Sequence, residues 1–471
     1  MKTHHLWIGS LFAFILTIAV PLCTLAKDHS SKGIPLSPLL NSVTGQYEML
    51  EGSERDAFGE FLFRAAAKWG NGNVWIPNPK VWVQYESGLG ERSAVDFENG
   101  VGRVQLLIRT IGDPYSDEVK AHMVQGVRNL VLTEPKDPVE MIKGQTSLGR
   151  TKGKDNPSGT AHTSRNGFGS YTVQKGDSLW KIGEKFNVSS KLIAQMNKLS
   201  KDASLQIGQK LRVPELSPHP LALDKNPKPA ALDPLLLGQI RMSDGRLVSR
   251  EIVPDYAREL VQSQDVKVNK IKGADGKERL AVTLEFQLIP EHFEVRAKRY
   301  RPIVQDKAET FGIYPPLIFA VIHTESAFNP RARSRTPAYG LMQLVPCGGA
   351  RDAHRMAYGK DKLLTPKYLY NPKNNIELGS AYLHILANRY MKAVHDPTSR
   401  MYCAIAAYNA GAVNVGYALI GRKSMRKAIP TINRMKPEDV YVKLTQSLPF
   451  KESRSYVKKI RDRISLYARW R

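Results

Sequence analysis

Glu325-Ser326 closes an almost wholly apolar run, and two further polar groups follow downstream, Gly340-Leu341-Met342-Gln343 and Ala407-Tyr408-Asn409. One carboxylate sharing a cleft with an amide and a Tyr-Asn pair is suited to sugar chemistry. The apolar run has the frame of a helix. Tyr314-Pro315-Pro316 starts it, Leu317-Ile318-Phe319-Ala320-Val321-Ile322 forms its body, and Asn329-Pro330 stops it. A helix apolar on every side is buried, so Glu325 falls in the last turn of a core element. Desolvation and the negative end of the helix dipole both disfavour a carboxylate there. A carboxylic acid that keeps its proton near neutral pH can hand it to a leaving oxygen. The same residue could instead be the structural partner of Arg331, Arg333 or Arg335, because structural ion pairs perturb pKa values as well.

The companion residues carry two readings each. Gly340 permits a tight approach, and Leu341 and Met342 read as core or cleft wall. Gln343 could offer its amide to a sugar or satisfy a buried backbone. Tyr456 stands at helical spacing from Ile460, the pattern of packed core. The other local carboxylates, Asp352, Asp361, Glu377 and Asp396, lie in polar or turn-like surroundings and read as solvated charges.

Glu325-Ser326, Gly340-Leu341-Met342-Gln343, Ala407-Tyr408-Asn409-Ala410-Gly411 and Glu452-Ser453-Arg454-Ser455-Tyr456-Val457 resemble, in order and spacing, the successive motifs of lytic murein transglycosylases of the soluble-lytic, goose-lysozyme-like family. Asn371-Pro372, Asn375-Ile376 and Gly379-Ser380-Ala381-Tyr382-Leu383 add the stretch between the second and third motifs. Pro397-Thr398-Ser399-Arg400 and Lys436-Pro437-Glu438-Asp439-Val440-Tyr441 are similar, more particularly, to the membrane-bound C type. The resemblance implies that Glu325 is the single catalytic acid, protonating the oxygen between N-acetylmuramic acid and N-acetylglucosamine and then acting as base. Many glycosidases need two carboxylates; this family needs one, because the muramic acid 6-hydroxyl attacks its own anomeric carbon and leaves a 1,6-anhydro end. By the same resemblance Ser326 supports the glutamate, Met342, Gln343 and Asn409 line or bind the sugar, and Tyr408 and Tyr456 approach the reacting region.

Tyr171-Thr172-Val173 and Lys210-Leu211-Arg212-Val213 read as short strands flanking two helical stretches, the second ending at Asn197. With Gln174-Lys175-Gly176-Asp177-Ser178-Leu179-Trp180, Ile193, Ile207-Gly208-Gln209 and Pro214, this stretch resembles a LysM domain. The resemblance implies binding of N-acetylglucosamine-containing glycans in a shallow groove between two loops, with Gly176, Asp177, Ser178, Leu179 and Ile207 as the groove residues. Leu179 and Trp180 could equally form a small core. Residues 143–170 are rich in Gly, Ser, Thr and Lys and residues 215–234 in Pro, so the module is expected to hang on linkers. A tethered glycan-binding unit would raise the effective concentration of a cleft along the same polymer.

Outside that module, Val81-Trp82-Val83-Gln84-Tyr85 and Val104-Gln105-Leu106-Leu107-Ile108 alternate like strands, with Asp96-Phe97-Glu98-Asn99-Gly100 as the turn between them. Gln239 to Leu247 and Val282-Thr283-Leu284-Glu285-Phe286-Gln287-Leu288 read likewise. The expected architecture is multidomain: a signal peptide over 1–26, an α+β N-terminal domain split between 45–142 and 235–295, a βααβ LysM domain over 171–214, and a mainly α, lysozyme-like catalytic domain over 300–471.

Met1-Lys2-Thr3-His4-His5 followed by an apolar Leu6 to Leu22 is the pattern of an export signal, with Thr24-Leu25-Ala26 as cleavage site. Lipid attachment at Cys23 fits less well, since Leu22 stands where a small residue is required. An exported, periplasmic protein follows, with outer-membrane association left open. Cys347 and Cys403 would remain after cleavage and could pair in an oxidising compartment. No spacing resembles a metal or redox motif, and no cofactor is implied. The formal charge of +25 would suit nucleic acid, but export points instead to anionic peptidoglycan strands, an anionic membrane surface or other cell-wall enzymes as partners, and to no nucleic acid. A murein lyase is the main expectation; a hydrolytic muramidase on the same fold and a non-catalytic peptidoglycan-binding protein are the alternatives.

Overall fold

The computed structural model describes residues 53–134 except Ser87, residues 168–214 in part, and residues 234–470 except 335–337. The export signal, residues 143–167 and 215–233 of the expected linkers, and Gly176, Asp177, Ser178 and Trp180 lie outside the described residues, while Phe168 to Ser170 of the first expected linker belong to a strand. The chain divides into two units, one of Met1–Gly149 with Leu232–Arg471 and one of Arg150–Ala231.

In the larger unit, α1 (Ser53–Trp69) precedes β1 (Val81–Tyr85), β2 (Glu91–Asp96), β3 (Val101–Arg109) and α2 (Asp117–Leu132). Ser116 caps α2 by accepting from the Val119 amide. The smaller unit holds β4 (Phe168–Thr172) and β5 (Lys210–Pro214), after which α3 (Val253–Ser263), β6 (Lys267–Lys272) and β7 (Glu278–Gln287) return to the first sheet. That sheet is antiparallel throughout, in the order β1-β2-β3-β7-β6. Strands from either side of Arg150–Ala231 therefore share one ladder, with Val104 opposite Leu284. Both faces are covered, as the alternation demands. Trp82, Val95 and Val104 pack with Val127 of α2 and Tyr256 of α3, whereas Val83, Tyr85 and Ala94 pack with Phe61 and Trp69 of α1.

Two local expectations change, and one strand had none. The turn at Asp96 to Gly100 is present, but it joins β2 to β3, and β2 itself is inserted between the two strands read from the sequence. Gln239 to Leu247 forms turns with one isolated bridge, Arg241 to Leu247, because Gln239 Nε2 donates to Leu235 O and the Gly245 turn folds the segment on itself. The edge strand β6, mostly Lys and Asn on its exposed face, has no alternation of apolar residues to betray it.

The helical region runs through α4 (His292–Phe311), α5 (Pro315–Ser326), α6 (Gly349–Tyr358), α7 (Pro366–Leu369), α8 (Pro372–Ile385), a π turn (Leu386–Tyr390), α9 (Pro397–Ala410), α10 (Ala412–Ile420), α11 (Met425–Ile432), α12 (Pro437–Ser447), α13 (Lys451–Leu466) and a 3-10 turn (Ala468–Trp470). Polar caps and prolines start several of these: Asn371 caps α8, Asp396 caps α9, and Pro372 and Pro397 open them. The core wraps α5, with Ile318, Phe319, Val321 and Ile322 wholly buried against Cys403 and Ile405 of α9 and Val457 and Ile460 of α13. A second cluster of Tyr339, Leu344, Leu369, Tyr370 and Leu378 holds the segment between α5 and α8. No disulfide joins Cys347 to Cys403, whose thiol is buried in the core and pushed up to about 12 by burial. Among the described residues no single helix is long and apolar enough to cross a membrane.

In the smaller unit, Tyr171, Val173, Leu179, Ile182, Ala194 and Leu211 form a compact core under the β4-β5 pair. Asn197 ties to β5 twice, donating from Nδ2 to Arg212 O and accepting the Arg212 amide.

Candidate active site

Within α5 only Pro315 and Glu325 escape burial. The neighbouring hydroxyls turn back into the helix: Thr324 Oγ1 donates to Ala320 O at 2.7 Å, and Ser326 Oγ lies 3.0 Å from Ile322 O and 2.7 Å from Leu341 O. The helix ends at Ser326, earlier than the Asn329-Pro330 signal, and the chain bends away through Ala327 and Phe328, both in the left-handed region at φ 49° and 63°. Burial pushes the Glu325 carboxyl up to about 7; the Tyr456 hydroxyl and the Lys80 charge pull it back, and Glu452 adds to the rise. Among the described residues Glu325 forms no ion pair with an arginine. Arg331 and Arg333 lie over the rings of Tyr370 and Tyr339, and Arg335 lies outside the described residues. A largely desolvated acid that stays half protonated near neutrality, with one face toward solvent, has the property general-acid work requires.

The Gly340 to Gln343 loop is held against this helix by two residues of α8. Asn375 accepts the Met342 amide at 2.8 Å and donates to Tyr339 O and Leu369 O, each at 2.8 Å. Gly340 has φ 77°, and a Cβ there would stand 2.4 Å from Asn375 Nδ2 and 2.5 Å from Leu369 O, so no other residue fits. Gly379 likewise leaves room for the Met342 sulfur, which a Cβ would meet at 2.2 Å. Asn375 was visible in the sequence only as part of a stretch; nothing about its type announced a clamp on a loop 33 positions away.

Ser326 and Met342 take the supporting and core readings of the sequence, not a sugar-binding one. Ser326 and Met342 are completely buried, so neither side chain is placed to touch a substrate. Ser326 instead joins α5 to the Leu341 carbonyl, and Met342 fills the space above Gly379 while its carbonyl accepts the Tyr408 hydroxyl at 2.8 Å. Gln343 satisfies buried backbone, one of its two sequence readings. Its Nε2 donates to Ala332 O and Gly340 O at 3.1 and 2.9 Å, while Oε1 is buried with no donor among the described groups.

Tyr408 is partly exposed, packs on Tyr382 with ring centroids 5.4 Å apart, and has its hydroxyl raised well above the usual range by burial and then by the Glu325 charge. Asn409 Oδ1 accepts from Ser453 Oγ at 2.6 Å, linking the third and fourth motifs. Tyr456 is buried as the helical spacing predicts, yet its hydroxyl is also beside Glu325; burial and then the Glu325 charge hold it strongly protonated. The other carboxylates have structural tasks. Asp352 pairs with Arg355, Asp361 with Arg351, and Asp396 caps α9. Glu377 is not the solvated charge expected: its side chain is 16% exposed and faces Lys307 at 3.7 Å.

In the β4-β5 unit Leu179 is 5% exposed and belongs to the core, which removes it from the expected groove contacts. Ile207 is 69% exposed at a turn pinned by Gly208 N donating to Val173 O.

Residues 302–429 match the transglycosylase SLT domain, and residues 171–214 match the LysM domain. The membrane-bound lytic murein transglycosylase C of Pectobacterium atrosepticum is 37% identical over 247 residues, 52% of this chain and 67% of the relative. The chain belongs to the lytic murein transglycosylases. A namesake from Haemophilus influenzae is 36% identical over 233 residues, 49% of this chain and 63% of that protein. The chain thus spans about two thirds of the transglycosylase relatives it matches. The solved 70 kDa soluble lytic transglycosylase of Escherichia coli is 26% identical and overlaps 36% of this chain and 24% of its own, with a TM-score of 0.29.

Proposed function

We propose that this transglycosylase cleaves the β-1,4 bond between N-acetylmuramic acid and N-acetylglucosamine in peptidoglycan without water, with Glu325 as both acid and base. The observation that carries the reading is a single largely desolvated carboxyl, pushed up to about 7, that shares its surroundings with the Tyr408 and Tyr456 hydroxyls. Protonated Glu325 gives its proton to the glycosidic oxygen as the anomeric C–O bond breaks. The muramic acid 6-hydroxyl oxygen then bonds to the anomeric carbon, and its proton returns to the Glu325 carboxylate. The enzyme ends as it began, and the product carries a 1,6-anhydro end. Tyr456 steadies the carboxylate between the two steps, and Gln343 Oε1 accepts from a sugar amide or hydroxyl.

The LysM unit supports glycan binding, with Ile207 as one exposed contact and the loop at Gly176 to Ser178 as the other side of the groove. The relatives are named membrane-bound, which supports a place in the cell envelope for this chain, in the periplasm and against the outer membrane. A sacculus digest by the protein and by Glu325→Gln tests the chemistry through the mass of the released muropeptides. Anhydro ends made by the parent and lost in the variant support the reading. Products heavier by one water identify a hydrolase, and no products from either protein leave a binding role.

A further inference from the structure

Two arginines tie the residues on either side of Glu325 to one turn of the N-terminal sheet. Arg463 of α13 donates from Nη1 to Thr324 Oγ1 at 3.0 Å and from Nη2 to Glu98 Oε1 at 2.6 Å. Arg296 of α4, itself buried, donates from Nε to Ala327 O at 3.1 Å and from Nη2 to Phe97 O at 2.8 Å. Phe97 and Glu98 are neighbours in the turn between β2 and β3, and Thr324 and Ala327 bracket Glu325 in the chain. The turn is a firm anchor. Asp96 Oδ1 accepts the Glu98 and Asn99 amides at 3.0 and 2.9 Å, and Gly100, at φ 67°, closes on His292, whose Nε2 a Cβ there would meet at 2.9 Å. Asn329 Nδ2 adds a further tie, to Pro79 O at 3.2 Å just ahead of β1. The stretch held in this way is one that needs holding: Ala327 and Phe328, with φ of 49° and 63°, occupy backbone that residues with a Cβ adopt only when their surroundings impose it.

We propose that Arg463 is a positioning residue for Glu325: by joining Thr324 to Glu98 it fixes the last turn of α5 against the turn between β2 and β3, which Arg296 holds to the chain on the far side of Glu325. The inference rests on the assignment of Glu325 as the acid. A guanidinium presents a planar fork of donors, so one side chain can serve a hydroxyl and a carboxylate together. The Arg463 side chain is 13% exposed, which shields both bonds from competing water. Thr324 spends its own proton on Ala320 O at 2.7 Å and has lone pairs left to accept from Arg463. Glu98 keeps a second cation in Lys80, at 2.7 Å, so loss of the Arg463 guanidinium would release Thr324 without leaving that carboxylate unpaired. Proton donation to a leaving oxygen depends steeply on placement, and a displacement of about 1 Å can cost on the order of a hundredfold. Releasing the turn therefore acts on the chemical step and spares substrate capture, because Arg463 reaches Glu325 only through its neighbour.

The test is kcat and KM on short soluble murein glycans for the parent, Arg463→Met, Thr324→Val, the double variant, Arg463→Lys and Glu325→Gln, each with a thermal melt. Arg463→Met and Thr324→Val are each expected to lower kcat by about tenfold with KM unchanged. The double variant is expected to fall no further than either single one, because both remove the same contact, and Arg463→Lys, which keeps a donor, to recover part of the loss. If Arg463→Met melts below the assay temperature, Thr324→Val decides alone, since it keeps the volume of the side chain and removes only the acceptor. An unchanged kcat in folded Thr324→Val, a loss carried by KM, or losses that multiply in the double variant, beside an inactive Glu325→Gln, overturns the role of Arg463 alone. A Glu325→Gln protein that still releases anhydro products overturns the assignment of the acid itself.

Discussion

The two glycan-facing regions of this chain are built on opposite principles. Around Glu325 the structure spends its most buried groups: Ser326, Met342, Asn375 and Tyr456 are all below the surface, and one carboxyl is left with an opening. In the LysM unit six of the described residues form the core, and the candidate contact Ile207 stands 69% exposed on a turn. Bond cleavage needs a group whose pKa is displaced, and displacement requires desolvation and fixed neighbours. Binding a polymer that is already everywhere needs only an accessible surface and a second point of attachment. The difference teaches that sequence motifs in the first region mark scaffolding as much as contact, whereas in the second they mark the fold of a small platform.

The comparison breaks most directly at Glu325. Glu325→Gln keeps the volume and removes the proton donor, so turnover of sacculi should fall about a thousandfold, while sedimentation with insoluble peptidoglycan stays at the parent level. Loss of sedimentation along with turnover would merge the two regions into one. The next effect is on stability. The Glu325 carboxyl is raised above its ordinary value to about 7, so between the unfolded and folded values the folded state holds a proton that the unfolded chain has lost. Stability from this group is therefore full at acid pH and declines as pH rises toward 7, by on the order of 3 kcal/mol. Urea melts of the parent should show that decline relative to Glu325→Gln, and parallel curves would mean the carboxyl is not desolvated.

Gly340→Ala sharpens the scaffolding side. A methyl 2.4 Å from Asn375 Nδ2 on a backbone at φ 77° should cost about 2 kcal/mol and lower the melting temperature, with activity lost in proportion to the displaced loop. The smallest change is in the platform: Ile207→Asp should weaken pelleting with peptidoglycan by about tenfold or less and leave cleavage of short soluble glycans unchanged. An equal loss on both substrates would place Ile207 in a catalytic role.

Much of the site was legible because its elements carry local signals. Pro315-Pro316 and the unbroken apolar run define α5, and burial plus helix position foretell the raised Glu325 without any distant contact. The alternating strands at Val81 to Tyr85 and Val282 to Gln287 were equally plain, since each is covered on both faces. Polar edge strand β6 was not, because nothing packs its outer residues into a pattern. The orientation of Ser326 and Met342 was not legible for a related reason: a residue type and a motif position do not say which way a side chain turns, and here the Leu341 carbonyl and Gly379 took them inward. Lys80, Glu98 and Arg463 were invisible, being far apart in sequence and joined only when the sheet meets α5 and α13.

The central claim is that one carboxyl suffices because the sugar supplies its own nucleophile. Digestion of sacculi in water enriched in oxygen-18, followed by mass spectrometry of the new muramic acid ends, tests it most directly. Ends that are anhydro and free of the heavy isotope are predicted; one oxygen-18 at each new reducing end would show that water attacks, and would contradict the account.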